Sequence, residues 1–129
     1  MIVSPHQKSP TILLIENDPA NRFLAERVLA LSGYQYLSVA NGAEALQLLD
    51  QQHVDLVLTD LSMPMVDGFG VAEKIRERPQ FSETPIIALT AHTLEQQQQR
   101  ALQAGCTAIV TKPYRPKQLI DMIARHLAT

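Results

Sequence analysis

Four short apolar runs constrain most strongly how this chain can fold. They are ILLI at 12–15, VDLVL at 54–58, PIIAL at 85–89 and AIV at 108–110. Each is rich in branched residues and nearly continuous, the pattern of parallel strands covered on both faces. Helix-like stretches separate them, and from Thr11 onward five strand-and-helix pairs fit the chain. The remaining run, YQYLSVA from Tyr34, mixes in polar residues and is read as a less buried edge strand. Strands alternating with helices imply right-handed crossovers. The expected fold is therefore α/β, an open, doubly wound, five-stranded parallel sheet with helices on both faces.

The helices carry their own boundary signals. The first begins with Asp18 as N-cap and Pro19 at its first position, places Leu24, Val28 and Leu31 on one face, and stops near Gly33. The second opens at Asn41 with Glu44 three residues later, resembling a capping box, and Thr93 with Gln96 predicts the same for the fourth. Gly105 closes the fourth helix, whose EQQQQR segment from Glu95 is read as a solvated face. In the last helix Pro116 sits near the start, and Leu119, Ile120, Ile123 and Leu127 form a stripe read as core. Residues 1–10, with two prolines and no apolar periodicity, are expected to be a loose tail, leaving residues 11–129 as one domain.

Composition narrows the class. At 129 residues and 46% hydrophobic, the chain can bury a real core. No stretch approaches the roughly 18 apolar residues of a membrane span, and the opening MIVSPHQKSP lacks the apolar core of a secretory signal. A cytoplasmic location is expected. The single cysteine, Cys106, excludes an internal disulfide and any multi-cysteine zinc site. A formal net charge of −2 argues against a general nucleic-acid surface and leaves proteins as the expected partners.

Sheets of this kind bind ligands beyond the carboxyl ends of their strands. There the first strand ends in Glu16, Asn17 and Asp18, the third in Asp60, the fourth in Thr90, and the fifth runs through Thr111 into Lys112. Carboxylates gathered at one rim repel one another unless a cation sits between them, and an oxygen-only set favours magnesium over zinc or copper. A lysine and a hydroxyl facing that metal suit phosphoryl oxygens, and a carboxylate such as Asp60 can accept a phosphoryl group.

The motifs IEND, DLSMPMVDG, ALTA and VTKPY, in this order, carry a resemblance. From about Thr11 to Leu127 the chain resembles the receiver domain of two-component response regulators. The resemblance implies the flavodoxin-like receiver fold with strand order 2-1-3-4-5. It also implies a phosphoacceptor that assists its own phosphorylation and dephosphorylation without being an enzyme in its own right. By the same resemblance Asp60 is the phosphoacceptor, Thr90 contacts the phosphoryl group and Lys112 is its basic partner. Glu16 helps hold Mg2+, and Ser62 supplies a backbone carbonyl to it. Met63, Pro64, Asp67 and Gly68 shape the loop, and Pro113 follows Lys112 through a cis bond.

Two positions depart from the family pattern. Asn17 stands where a second acid usually ligates the metal directly; its amide oxygen can still coordinate magnesium, so weaker binding is expected. Asp18 is read as the helix cap, with a role at the metal as the alternative. Ile109 replaces an aromatic residue whose rotation reports phosphorylation in many members, so it is read as a packed strand residue. Coupling from Thr90 is then expected through the following loop, including His92, itself read as a surface histidine.

The leading functional reading is a phosphorylation switch. A sensor histidine kinase or histidine phosphotransfer protein supplies the phosphoryl group to Asp60 with Mg2+, and output passes by protein contacts from the fourth helix, fifth strand and fifth helix to a downstream effector. The end at Thr129 is read as leaving no output domain, and the initial methionine favours a free-standing regulator over a phosphate shuttle or a receiver cut from a hybrid kinase. The alternative is a degenerate receiver acting as an interaction module independent of phosphorylation, with Asn17 as its first sign. A flavin protein fits poorly because ENDPAN offers carboxylates where a phosphate cradle is needed. An aspartate-nucleophile phosphatase fits poorly because the candidate nucleophile lies on the third strand and is followed by Leu61 and Ser62.

Overall fold

In the computed structural model, residues 10–61, 68–91 and 95–128 are described. The strands are β1 (Thr11–Ile15), β2 (Gln35–Val39), β3 (Leu56–Asp60), β4 (Ile86–Thr90) and β5 (Ala108–Thr111). The helices are α1 (Pro19–Leu31), α2 (Gly42–Leu49), α3 (Gly68–Arg76), α4 (Glu95–Gln103) and α5 (Pro116–Leu127), with a 3₁₀ turn at Pro79–Phe81. All strand pairs are parallel, in the order β2-β1-β3-β4-β5. This is the doubly wound α/β sheet expected from the alternation of runs.

The near-continuous apolar strands are explained by cover on both faces. Leu13, Ile15, Val57 and Ala88 pack with Ala45, Leu49, Val71, Ile75 and Ala101, so α2, α3 and α4 cover one side. Ile12, Leu14, Leu58 and Leu89 pack with Ala25, Leu29, Leu119 and Ile123, so α1 and α5 cover the other. β2 lies at the edge with its first residues exposed, as its mixed composition implied.

The local signals work as chemistry. Asp18 Oδ2 accepts the Asn21 N–H at 2.8 Å and caps α1, with Pro19 in its first turn. Asn41 Oδ1 accepts the Glu44 N–H at 2.9 Å, but the Glu44 carboxylate reaches back to the Ala40 N–H and not to that of Asn41. Gly33 and Gly105 close α1 and α4 at φ of +81° and +115°, values that favour glycine. The predicted start of α4 at Thr93 lies outside the described residues, as do residues 1–9 of the expected tail.

Two expectations need correction. Apolarity placed the third strand at 54–58, whereas β3 is Leu56–Asp60, because its ladder with β4 carries on through Asp60 opposite Leu89. On the α1 face holding Leu24, Val28 and Leu31, Val28 alone is buried. Ala25, Val28 and Leu29 are buried, while Leu24 and Leu31 are 60% and 78% exposed. Small Ala25 lets the helix approach the sheet along a line rotated from the one the larger side chains suggested.

Candidate functional site

Parallel register brings the strand ends together. Ile15 pairs with Thr59, which sets Glu16 next to Asp60, and Asp60 pairs with Leu89, which sets it beside Thr90. Thr90 pairs with Thr111, and its carbonyl accepts the Lys112 N–H at 2.7 Å, fixing the lysine at the same rim. Glu16, Asp60 and Thr90 are all buried there, at 1%, 4% and 1% exposure. The next peptide bond, Lys112–Pro113, is cis.

The ammonium of Lys112 spans the two carboxylates. Its Nζ donates to Glu16 Oε1 at 3.0 Å and to Asp60 Oδ2 at 3.1 Å. Glu16 Oε2 also accepts the Asp18 N–H at 3.1 Å. Burial, followed by the nearness of Asp60, raises the Glu16 pKa against the opposing pull of the Asp18 N–H and of Lys112. For Lys112 burial acts to lower the pKa, but Glu16 and Asp60 outweigh it and hold the ammonium above its ordinary value.

Glu16, Asp60, Thr90 and Lys112 therefore share one rim, and Asn17 stands exposed beside them. Ser62, Met63, Pro64, Asp67, His92 and Thr93 lie outside the described residues. Asp18 is occupied as the helix cap. Ile109 is half-buried and packs toward the α2, α3 and α4 side. An apolar groove of about 450 Å³, lined by Leu24, Val28, Lys112, Pro113, Tyr114 and Pro116, opens beside the lysine. Sequence reading placed Leu24 on one face of the first helix and did not find this groove. Its available signal was that Leu24 and Leu31 fall on one helical face apart from Ala25 and Leu29.

The donor set can be tested against a divalent cation. Among the described residues no group of three or more His, Cys, Asp or Glu side chains is arranged to hold a metal ion. Two buried carboxylates do converge, and burial first, with the nearness of Asp60 second, raises the Glu16 pKa, a cost to the charged form that a cation between them would offset. One or two carboxylates, with water completing the shell, are the usual protein share of a magnesium site, so the residues present fit that ion.

Residues 12–124 match the family model of the response regulator receiver domain. The chain is 36% identical over 118 residues to the sensor protein EvgS of Escherichia coli O157:H7, covering 92% of this chain but only 9% of EvgS. It is 30% identical over 117 residues to the polar-differentiation response regulator DivK of Brucella ovis, covering 91% of this chain and 95% of DivK. Among solved structures it resembles the receiver domain of the sensor histidine kinase PA1611 of Pseudomonas aeruginosa PAO1, which holds a magnesium ion in its active-site cleft. That likeness has a TM-score of 0.88 at 32% identity and covers 94% of this chain and 99% of the other. Among the described residues, no helix is long and apolar enough to cross a membrane.

Proposed function

Because the chain belongs to the response regulator receiver domain family of two-component signalling, we propose that Asp60 accepts a phosphoryl group from a histidine kinase or a histidine phosphotransfer protein in the cytoplasm. Receiver domains interact with histidine kinases and are signalling modules, generally not enzymes. The observation that carries the reading is the Lys112 bridge, a buried carboxylate held at a strand end within 3.1 Å of an ammonium.

In the transfer, a carboxylate oxygen of Asp60 forms the new phosphorus–oxygen bond as the donor's phosphorus–nitrogen bond breaks, and the imidazole leaves with the electron pair. Lys112 supplies positive charge to the incoming oxygens, and the Thr90 hydroxyl is placed to donate to one of them. Glu16, Asp60, the Asn17 amide oxygen and the Ser62 backbone carbonyl would hold Mg2+, which when bound neutralises charge on the phosphoryl oxygens. Other phosphorylated side chains gain about one to two negative charges. A comparable gain at Asp60 would draw Lys112 away from Glu16 and bias the surface of α4, β5 and α5 toward a downstream protein.

The test is intact mass after incubation with acetyl phosphate, with and without magnesium, beside Asp60→Asn. One magnesium-dependent phosphoryl adduct, absent from the variant, is expected. Folded wild-type protein that takes up no adduct at any magnesium concentration would instead mark a module that works without phosphorylation.

A further inference from the structure

Arg76, the last residue of α3, is half-buried, and its hydrogen bonds go to oxygens of two separate segments. Nη1 donates to the carbonyls of Phe81, Ser82 and Thr84 at 2.9, 3.2 and 2.6 Å. Nε donates to the Gly105 carbonyl at 2.9 Å, and Nη2 to Thr107 Oγ1 at 3.2 Å. Among the described residues no carboxylate pairs with it, so the guanidinium is held by main-chain dipoles and one hydroxyl. Five donors in a rigid fork suit this arrangement as a lysine would not.

The segment it grips is the end of α4. Cys106 N–H bonds to the Ala101 carbonyl and Gly105 N–H to the Leu102 carbonyl, a reciprocal pair of the kind that terminates a helix on a left-handed glycine. Thr107 then exchanges bonds with Ile86, its N–H to the Ile86 carbonyl and its Oγ1 from the Ile86 N–H. The stem of Arg76 lies so close that a Cβ at Gly105 would meet Cγ at 2.7 Å. The front of α4 is held differently. Ala101 is its only buried residue, and none of residues 95–99 is buried.

We propose that Arg76 and Gly105 form a fixed hinge for α4, so that a change at the Asp60 and Thr90 rim moves the first turns of the helix while its last turn stays in place. This rests on the phosphoacceptor reading for the source of the change, but the hinge is a property of the chain with nothing bound. The front of α4 follows Thr90 in the chain and carries the Gln97 to Gln99 surface, so tilt about the far end alters the exposed face with little repacking of the core.

Residue-resolved amide hydrogen exchange on the full chain tests this, with and without magnesium and beryllium fluoride as a mimic of the aspartyl phosphate. In wild type, amides at 97–100 change on addition of the mimic and those at 103–107 hold within about twofold. In Arg76→Met without ligand, protection at 103–107 falls by about tenfold or more, and the response to the mimic spreads into that segment. Arg78→Met, which breaks a neighbouring ion pair, keeps the wild-type pattern. Arg76→Lys, which keeps the charge but loses the rigid five-donor fork, repeats the Arg76→Met pattern in weaker form and replaces it if that variant does not fold. Equal losses at 103–107 in Arg76→Met and Arg78→Met would overturn the hinge, as would a uniform response along wild-type α4. Failure of the phosphoacceptor reading is seen separately as the missing mass adduct, and the ligand-free comparison then decides the hinge.

Discussion

At the scale of single residues, the proposed magnesium site turns on Asn17. It follows the buried Glu16 directly and is itself exposed, so an acid placed there adds charge without adding a buried ion. Affinity for hard divalent ions rises with the number of charged oxygen ligands. Asn17→Asp is therefore expected to tighten magnesium binding on the order of tenfold, about 1.4 kcal/mol. Calorimetric titration of the metal reads this without any phosphoryl donor, and an unchanged affinity would show that position 17 does not face the ion. Lys112 would limit the gain, because a cation bound there would compete with an ammonium already 3.0 Å from Glu16 and 3.1 Å from Asp60.

At the scale of elements, the strands were legible because burial on both faces demands continuous apolarity, and helix starts were legible where a side chain caps the first turn, as Asp18 and Asn41 do. The rim could be read because parallel strands all deliver their last residues to the same end, whatever their exact lengths. What could not be read was rotation about a helix axis. Leu24, Val28 and Leu31 form a valid stripe, yet the small Ala25 decided which line meets the sheet. Two substitutions separate the stripes. Leu29→Ala, at a fully buried position, is expected to cost about 2–5 kcal/mol, whereas Leu31→Glu should stay within about 0.5 kcal/mol in urea unfolding. Equal costs would restore the original stripe. Ion pairs between elements were likewise invisible, because Asp50 after α2 and Arg78 after α3 are linked only by the fold, with Arg78 Nε to Asp50 Oδ1 at 2.8 Å. The Arg78 hydrogen bond holds the Asp50 pKa below its ordinary value. The pair therefore adds stability above the usual aspartate pKa of about 4, and that stability is lost as pH falls through the lower folded value. Urea midpoints of wild type and Arg78→Met should differ at pH 7 and converge near pH 2; a constant gap would remove Asp50 as the cause.

At the scale of the whole molecule, four strands deliver the rim groups and both helical layers rest on those strands, so an ion bound to Glu16 and Asp60 is bound to the folded state alone. Without metal, the two buried carboxylates share the single ammonium of Lys112. The same geometry is lost on unfolding, when Glu16 and Asp60 become distant points on a flexible chain. Selective binding to the native state stabilises it by mass action, about 2.7 kcal/mol at a metal concentration one hundred times the dissociation constant. For a domain of this size that is a rise in Tm of about 10 °C. The expected result is a melting temperature that climbs with magnesium in wild type and returns to its starting value on chelation. In Asn17→Asp the climb should begin at a lower concentration, and in Glu16→Gln it should flatten, since one of the two buried carboxylates is gone. A climb of equal size in Glu16→Gln and wild type would place the ion elsewhere on the surface and separate metal binding from the Asp60 rim.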